Sequence, residues 1–231
     1  MVPKLLRFLL RLTLLTAATG LILLALWLHR HFAPGQPYPD LTTEPKVPEA
    51  ALETVVSSPE PLGNAAVGAD GRLFFTVHPE ARPEGPLLFE QRDGRAEPLL
   101  PEAEQRRLMR TPLGLTVAPS GRVWVIDHGF HGFAGVRLLA FDPDRGALAA
   151  DFELPKACAP RLSFVQDLAV DEARGVVYLA DVNFFGRRPA LLVYELATGR
   201  CRRLLERHPS VVAQDWVIRT PTQEMVLLGG L

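Results

Sequence analysis

Lysine is nearly missing from this sequence. It stands only at positions 4, 46 and 156, and every other basic residue is arginine. A basic surplus is missing too. Lys4, Arg7, Arg11 and Arg30 fall within the first 31 residues, which hold no acid; of 25 Lys and Arg in the chain this leaves 21, against 26 Asp and Glu. Such a body lacks the basic stripe that displaces counterions, so no nucleic-acid partner is expected. Cysteine is limited to Cys158 and Cys201, with no CxxC spacing and hence no metal signature. Spacing leaves open whether the two are free or bridged, because Cα separation cannot be read from it. No GxSxG, HExxH, P-loop or GxGxxG motif occurs. No nucleophile has a base at hand, so no catalytic residue is assigned. Beyond residue 31 no 3.6-residue period is sustained, which excludes helical repeats.

One long apolar run is present. Leu12–Leu28 is 17 residues without a charge, extended by Leu9, Leu10 and Phe32. That suffices for a spanning helix at about 1.5 Å per residue. A cleaved signal needs a small-x-small site after the run. Here Leu28-His29-Arg30-His31-Phe32-Ala33-Pro34 follows, which is bulky, charged and closed by proline. The expectation is an uncleaved transmembrane anchor over 12–31. The basic residues of 1–11 stay in the cytoplasm and export the rest to a periplasmic or extracellular side. Residues 32–51 form a Pro-rich linker, with five prolines between Ala33 and Pro48.

The segment 52–231 repeats itself. LGNAAVGADGRLFF from Leu62, LGLTVAPSGRVWVID from Leu113 and QDLAVDEARGVVYLAD from Gln166 each pair two short apolar runs across a turn holding Gly71, Gly121 or Gly175. A longer loop, a third strand (86–90, 136–141, 190–194), a tight turn and a fourth strand follow each pair. Four antiparallel strands every 50 residues or so are the blade of a β-propeller. The fold class is all-β. Blades are expected at about 62–101, 113–155 and 166–207, with the start of a fourth at 211–231 and a lone strand at Leu52–Val56. Three to three-and-a-half blades make a partial propeller of the six-bladed type, and the expectation is a truncated fragment of a longer protein. Its open blade edges allow self-association.

The runs PEPLGNAAVGADGRLFFTVHPEARPEGPLLFE, WVIDHG, LLAFDPDRGAL, SFVQDLAVDEARGVVYLAD and LLVYELATGRCRRLLERHPSV occur in this order. Together, from Leu52 to Ile218, they resemble bacterial members of the major royal jelly protein/yellow family. The resemblance implies a six-bladed propeller and export. It implies no single reaction, since members are linked to pigment pathways, small-amine binding and nutrition. A more distant likeness is to gluconolactonase-type propellers, which hold a divalent ion in the channel. Asn64 stands where that family has its glutamate, and Gln166 where it has an asparagine. An amide in place of a carboxylate removes charge that holds a hard cation such as calcium.

Strand counting places the short turns on one face and the long loops on the other, where function concentrates. Asn64, Gln166 and Asp167 begin inner strands and can reach the channel mouth, or can bond loop backbone. Asp127 and His128 end the second strand of blade two, and as neighbours in a strand they are not expected to touch. His131 follows in the loop and is more exposed. His78 stands at the matching point of blade one, and Asp181 and Asn183 at that of blade three. Together these form a polar ring suited to a small polar ligand, or simply solvated loop. Phe74, Trp124 and Tyr178 are read as packing between blades. The function expected is a membrane-anchored, non-catalytic binding or scaffold protein without a cofactor, the alternative being a metal-dependent lactonase.

Overall fold

The computed structural model describes Lys4–Phe32, Gln36–Pro37 and residues 46–213, 216–219 and 224–226. Helix α1 (Lys4–Phe32) has 29 residues, about 43 Å at 1.5 Å per residue, against a hydrocarbon core of about 30 Å. It is long and apolar enough to cross a membrane. Its threonines do not interrupt it: Thr13 Oγ1 donates to the Leu9 carbonyl and Thr16 Oγ1 to that of Leu12, both at 3.0 Å. Their polar atoms are thus satisfied within the helix, as a bilayer requires.

After a two-residue strand β1 (Gln36–Pro37) come three four-stranded antiparallel sheets. Blade 1 is β2 (Leu62–Val67), β3 (Leu73–Val77), β4 (Leu88–Arg92) and β5 (Arg95–Pro98). Blade 2 is β6 (Pro112–Val117), β7 (Val123–Asp127), β8 (Arg137–Asp142) and β9 (Ala147–Glu153). Blade 3 is β10 (Val165–Asp171), β11 (Val176–Asp181), β12 (Ala190–Glu195) and β13 (Cys201–Leu204). Strands within each blade pair in chain order, as the repeat demands. The first hairpins turn at Gly71 and Gly121 with φ of +84° and +83°, a region open to glycine but costly for L side chains. A seven-residue helix, α2 (Glu102–Leu108), crosses the link between blades 1 and 2.

The core lies between blades. Phe74, Leu115, Val125, Leu139 and Phe141 fill the space between blades 1 and 2. Trp124, Ile126, Leu138, Val177, Leu179 and Leu192 fill that between blades 2 and 3. Each such side chain contributes about 1.5–3 kcal/mol by leaving water. Because both faces of blade 2 are covered, β7 is buried at every residue and reads as a continuous apolar run. Phe74 and Trp124 are 1% and 3% exposed and pack between blades as expected; Tyr178, their equivalent on the far side of blade 3, is 38% exposed.

The strand expected at Leu52–Val56 does not form. A 3-10 turn at Glu49–Ala51 is followed by extended chain without a ladder partner. Further on, Ser57–Glu60 lines the outward face of blade 1, facing Phe75, Val77 and Phe89 across a groove of about 280 Å³. Phe75 and Phe89 stack there at 5.2 Å.

In the region expected to begin a fourth blade, β14 (Trp216–Arg219) and β15 (Glu224–Val226) form an antiparallel pair, and β1 adds to β14 in parallel. The other residues of 214–231 lie outside the described ones. These strands and α1 belong to a compact unit separate from the blades. The cysteines left open by the sequence are joined: Cys158, after β9, is bonded to Cys201 of β13, with Cα atoms 5.8 Å apart.

Candidate functional site

The candidate residues fall into three groups with different fates. Asp127 and Asp181, at register-equivalent ends of β7 and β11, are 1% and 0% exposed. The Asp127 carboxylate accepts the backbone N–H groups of Arg110, Thr111 and Gly129 at 2.7, 3.0 and 3.0 Å, and the Thr111 hydroxyl at 3.0 Å. Asp181 repeats the pattern in blade 3. It accepts from the N–H of Phe164 and Asn183 at 2.8 and 3.0 Å and from the Ser163 hydroxyl at 2.8 Å, and it pairs with the Arg203 guanidinium at 2.6 Å. Both carboxylates tie the inter-blade link to the loop after the second strand. Asn183 continues this work: its Oδ1 accepts from the Arg188 N–H at 3.2 Å. These three residues scaffold the long-loop face from beneath.

Asn64 and Asp167 lie nearer the surface, in the irregular starts of β2 and β10. The register makes them equivalent to one another and to Gly114 of β6, so the partner of Asn64 in blade 3 is Asp167 and not Gln166. Each accepts, through Oδ1, the N–H of the next residue, at 2.7 and 2.8 Å. The three starts are in close contact: a Cβ on Gly114 would lie 2.1 Å from the Gln166 carbonyl oxygen. Half-buried Gln166 occupies the irregularity of β10.

The histidines form a third cluster. His128 is 1% exposed. Its Nδ1 accepts the His131 N–H at 3.1 Å, which puts the proton on Nε2, and that atom is buried without a hydrogen-bond partner. Burial first, then the neighbouring His131, lower its pKa from 6.5 to about 4, so it is neutral at physiological pH. His131 is more exposed, as expected, and its Nε2 lies 3.3 Å from Glu80. Phe164 packs against both rings, with centroids at 4.8 Å from His128 and 4.3 Å from His131, and Phe185 lies 5.4 Å from His131. His78 stays on the next blade, where its Nδ1 accepts the Glu80 N–H at 3.3 Å and caps a short 3-10 turn. No hydrogen bond joins Asp127 to His128, as alternation along a strand requires.

Sequence reasoning missed Thr111, Ser163, Phe164, Glu80 and Arg203. Thr111 and Ser163 recur just before the first strands of blades 2 and 3, a signal that reading from the strand starts passes over. Arg203 is invisible in sequence because its partner Asp181 lies 22 residues away. Among the described residues, no three or more His, Cys, Asp or Glu are grouped to hold a metal ion. On the opposite, short-turn face a cleft of about 420 Å³ is lined by Asp70, Arg72, Ser120, Arg122, Asp142 and Asp144. There Arg72 is engaged by Glu90 and Asp144 at 2.6 Å each.

Residues 111–215, from the link before blade 2 past the end of blade 3, match the family model described as major royal jelly protein. The resemblance read from the sequence motifs is thereby borne out over that segment. No curated protein matches the chain. Among solved structures, a nidogen/laminin complex aligns with 73% of this chain and 57% of its own at 15% identity and a TM-score of 0.47. TolB from Acinetobacter baumannii aligns with 72% of this chain and 36% of its own at 12% identity and a TM-score of 0.44. This chain thus spans little more than half of the first of these structures and about a third of the second. The blade assignment here rests on the three sheets themselves.

Proposed function

We propose that this chain is a membrane-anchored, extracytoplasmic propeller of the royal jelly/yellow type that works as a non-catalytic binding or scaffold protein, taking a small polar ligand at its long-loop face. The observation that carries the reading is the structural commitment of the two buried carboxylates. Asp127 and Asp181 each accept four bonds from loop and inter-blade groups. Buried carboxylates that hold the loops in this way are placed as scaffold and not as a base or a cation ligand. What remains open are the ends of the inner strands, Asn64, Gln166 and Asp167, on a rigid support. Extracytoplasmic placement is supported by the Cys158–Cys201 bridge, which persists in oxidising compartments.

Two measurements test this. The first is a thermal-shift screen of the purified full chain against small polar molecules. It is expected to yield a stabilising ligand whose effect is lost in Asn64→Ala and Asp167→Ala. Metal-dependent turnover of a lactone by the same preparation would overturn the non-catalytic reading. The second is a phosphatase fused after Val212, which is expected to be active only if the blades are exported.

A further inference from the structure

The loops 128–136, 154–164 and 182–189 meet on the long-loop face. The Leu162 N–H donates to the His131 carbonyl at 2.9 Å, and the His131 and Phe185 rings lie 5.4 Å apart. Their composition departs from that of the body. Within these segments there are four basic residues, Lys156, Arg161, Arg187 and Arg188, and no acid, although residues 32–231 carry more acid than base; from outside them Glu206 pairs with Arg188 at 2.7 Å and Glu80 lies 3.3 Å from His131. They also present three phenyl rings to solvent: Phe130, Phe133 and Phe185 are 55%, 60% and 41% exposed.

The presentation of these rings is built in. Phe130 holds φ of +52°, a left-handed conformation that is strained for an aromatic residue. It is fixed there by its N–H donating to Thr111 Oγ1 at 3.1 Å and by its carbonyl accepting from Phe133 at 3.2 Å. The loop thus holds an apolar ring outward in a conformation that few aromatic residues adopt.

We propose that this patch docks on the surface of the bilayer that holds α1, the phenyl rings entering the headgroup boundary and the basic residues meeting anionic lipid. The chemistry fits: rings at the interface bury apolar area, and nearby Lys and Arg side chains are attracted to an anionic surface. Because α1 belongs to the same chain, docking is intramolecular, and its effective concentration compensates for a small patch. The inference rests on α1 spanning a membrane, which resistance of the full chain to alkaline carbonate extraction tests on its own.

The docking test is amide hydrogen exchange on the full chain in nanodiscs, comparing phosphatidylglycerol-containing with pure phosphatidylcholine discs. Amides of 129–135 and 183–188 are expected to exchange roughly tenfold more slowly on the anionic discs, with the difference removed by high salt. In the triple variant Phe130→Ser, Phe133→Ser, Phe185→Ser the slowing disappears, while β7 and β11 exchange as before and so report an intact fold. Equal exchange of these loops on both discs overturns the proposal. Slowing that depends on protein concentration and not on lipid charge overturns it as well, and assigns the patch to a second copy of the chain.

Discussion

Asp127 and Asp181 occupy the same point in consecutive blades and make the same bonds, each carboxylate gripping the residues just before the first strand and the turn two residues on. The repeat therefore extends below the level of strands to individual side-chain contacts.

Asp181 adds a buried ion pair with Arg203 where Asp127 accepts the Arg110 N–H. The Arg203 side chain is 11% exposed and the Asp181 side chain 0%. Removing Asp181 takes away the buried partner of Arg203, which keeps Glu206 at 2.9 Å, and leaves the Ser163 hydroxyl and the Phe164 and Asn183 N–H groups without their acceptor. Asp181→Ala is expected to cost more than Asp127→Ala, which strands only neutral donors at about 1–3 kcal/mol. Urea denaturation of both variants checks the order; equal losses would show that the ion pair adds nothing.

The bridge between Cys158 and Cys201 closes a loop of 43 residues. By loop-closure entropy its removal is expected to lower stability by about 2–4 kcal/mol. The Cys158→Ser/Cys201→Ser double variant should unfold at lower denaturant and lose its response to reducing agent. An unchanged midpoint on reduction of the native chain would refute this.

His128 makes stability depend on pH in a defined direction. Its folded pKa is about 4 and its unfolded pKa about 6.5, so between these values the unfolded chain binds the extra proton. Stability is full above pH 6.5 and is lost as pH falls towards 4, by up to about 3 kcal/mol. His128→Gln removes the titrating group. Its stability profile over this window is expected to be flatter than that of the native chain, whatever its absolute level, and melting temperatures measured at several pH values decide it.

Gly114 sets the distance between blades 2 and 3. A methyl group there meets the Gln166 carbonyl at 2.1 Å and the Asp167 Cα at 2.9 Å, both rigid. Gly114→Ala is expected to destabilise by about 2 kcal/mol or more, as overpacking does, whereas Gly71→Ala meets no neighbour and pays only for its positive φ. A larger loss at position 71 than at position 114 in thermal melts would contradict the close approach.

Much of this architecture is written locally. Short strands of four to seven residues, apolar on the inner side of each blade and joined at the first hairpins by turns with glycine at positive φ, follow one another in order because hairpin pairing joins chain neighbours. The long apolar helix α1 is equally local, a property of one uninterrupted run of residues. The expected strand at Leu52–Val56 shows the limit: composition permits a strand, but a ladder needs a partner, and among the described residues none pairs with it. The candidate site was legible as a set of polar residues on one face and no further. Whether Asp127 binds a ligand or a backbone depends on where Arg110 and Thr111 lie, and they reach it only through packing of the preceding link. The same holds for the cysteines, whose 43-residue separation is closed by the stacking of β13 beside the loop after β9. Sequence by itself determined the long apolar helix, the strands, their order and the face on which long loops gather, because each depends on neighbours along the chain. Tertiary structure alone decided which carboxylates are spent, which imidazole is buried and neutral, and which phenyl rings face outward, because these depend on contacts between segments far apart in sequence.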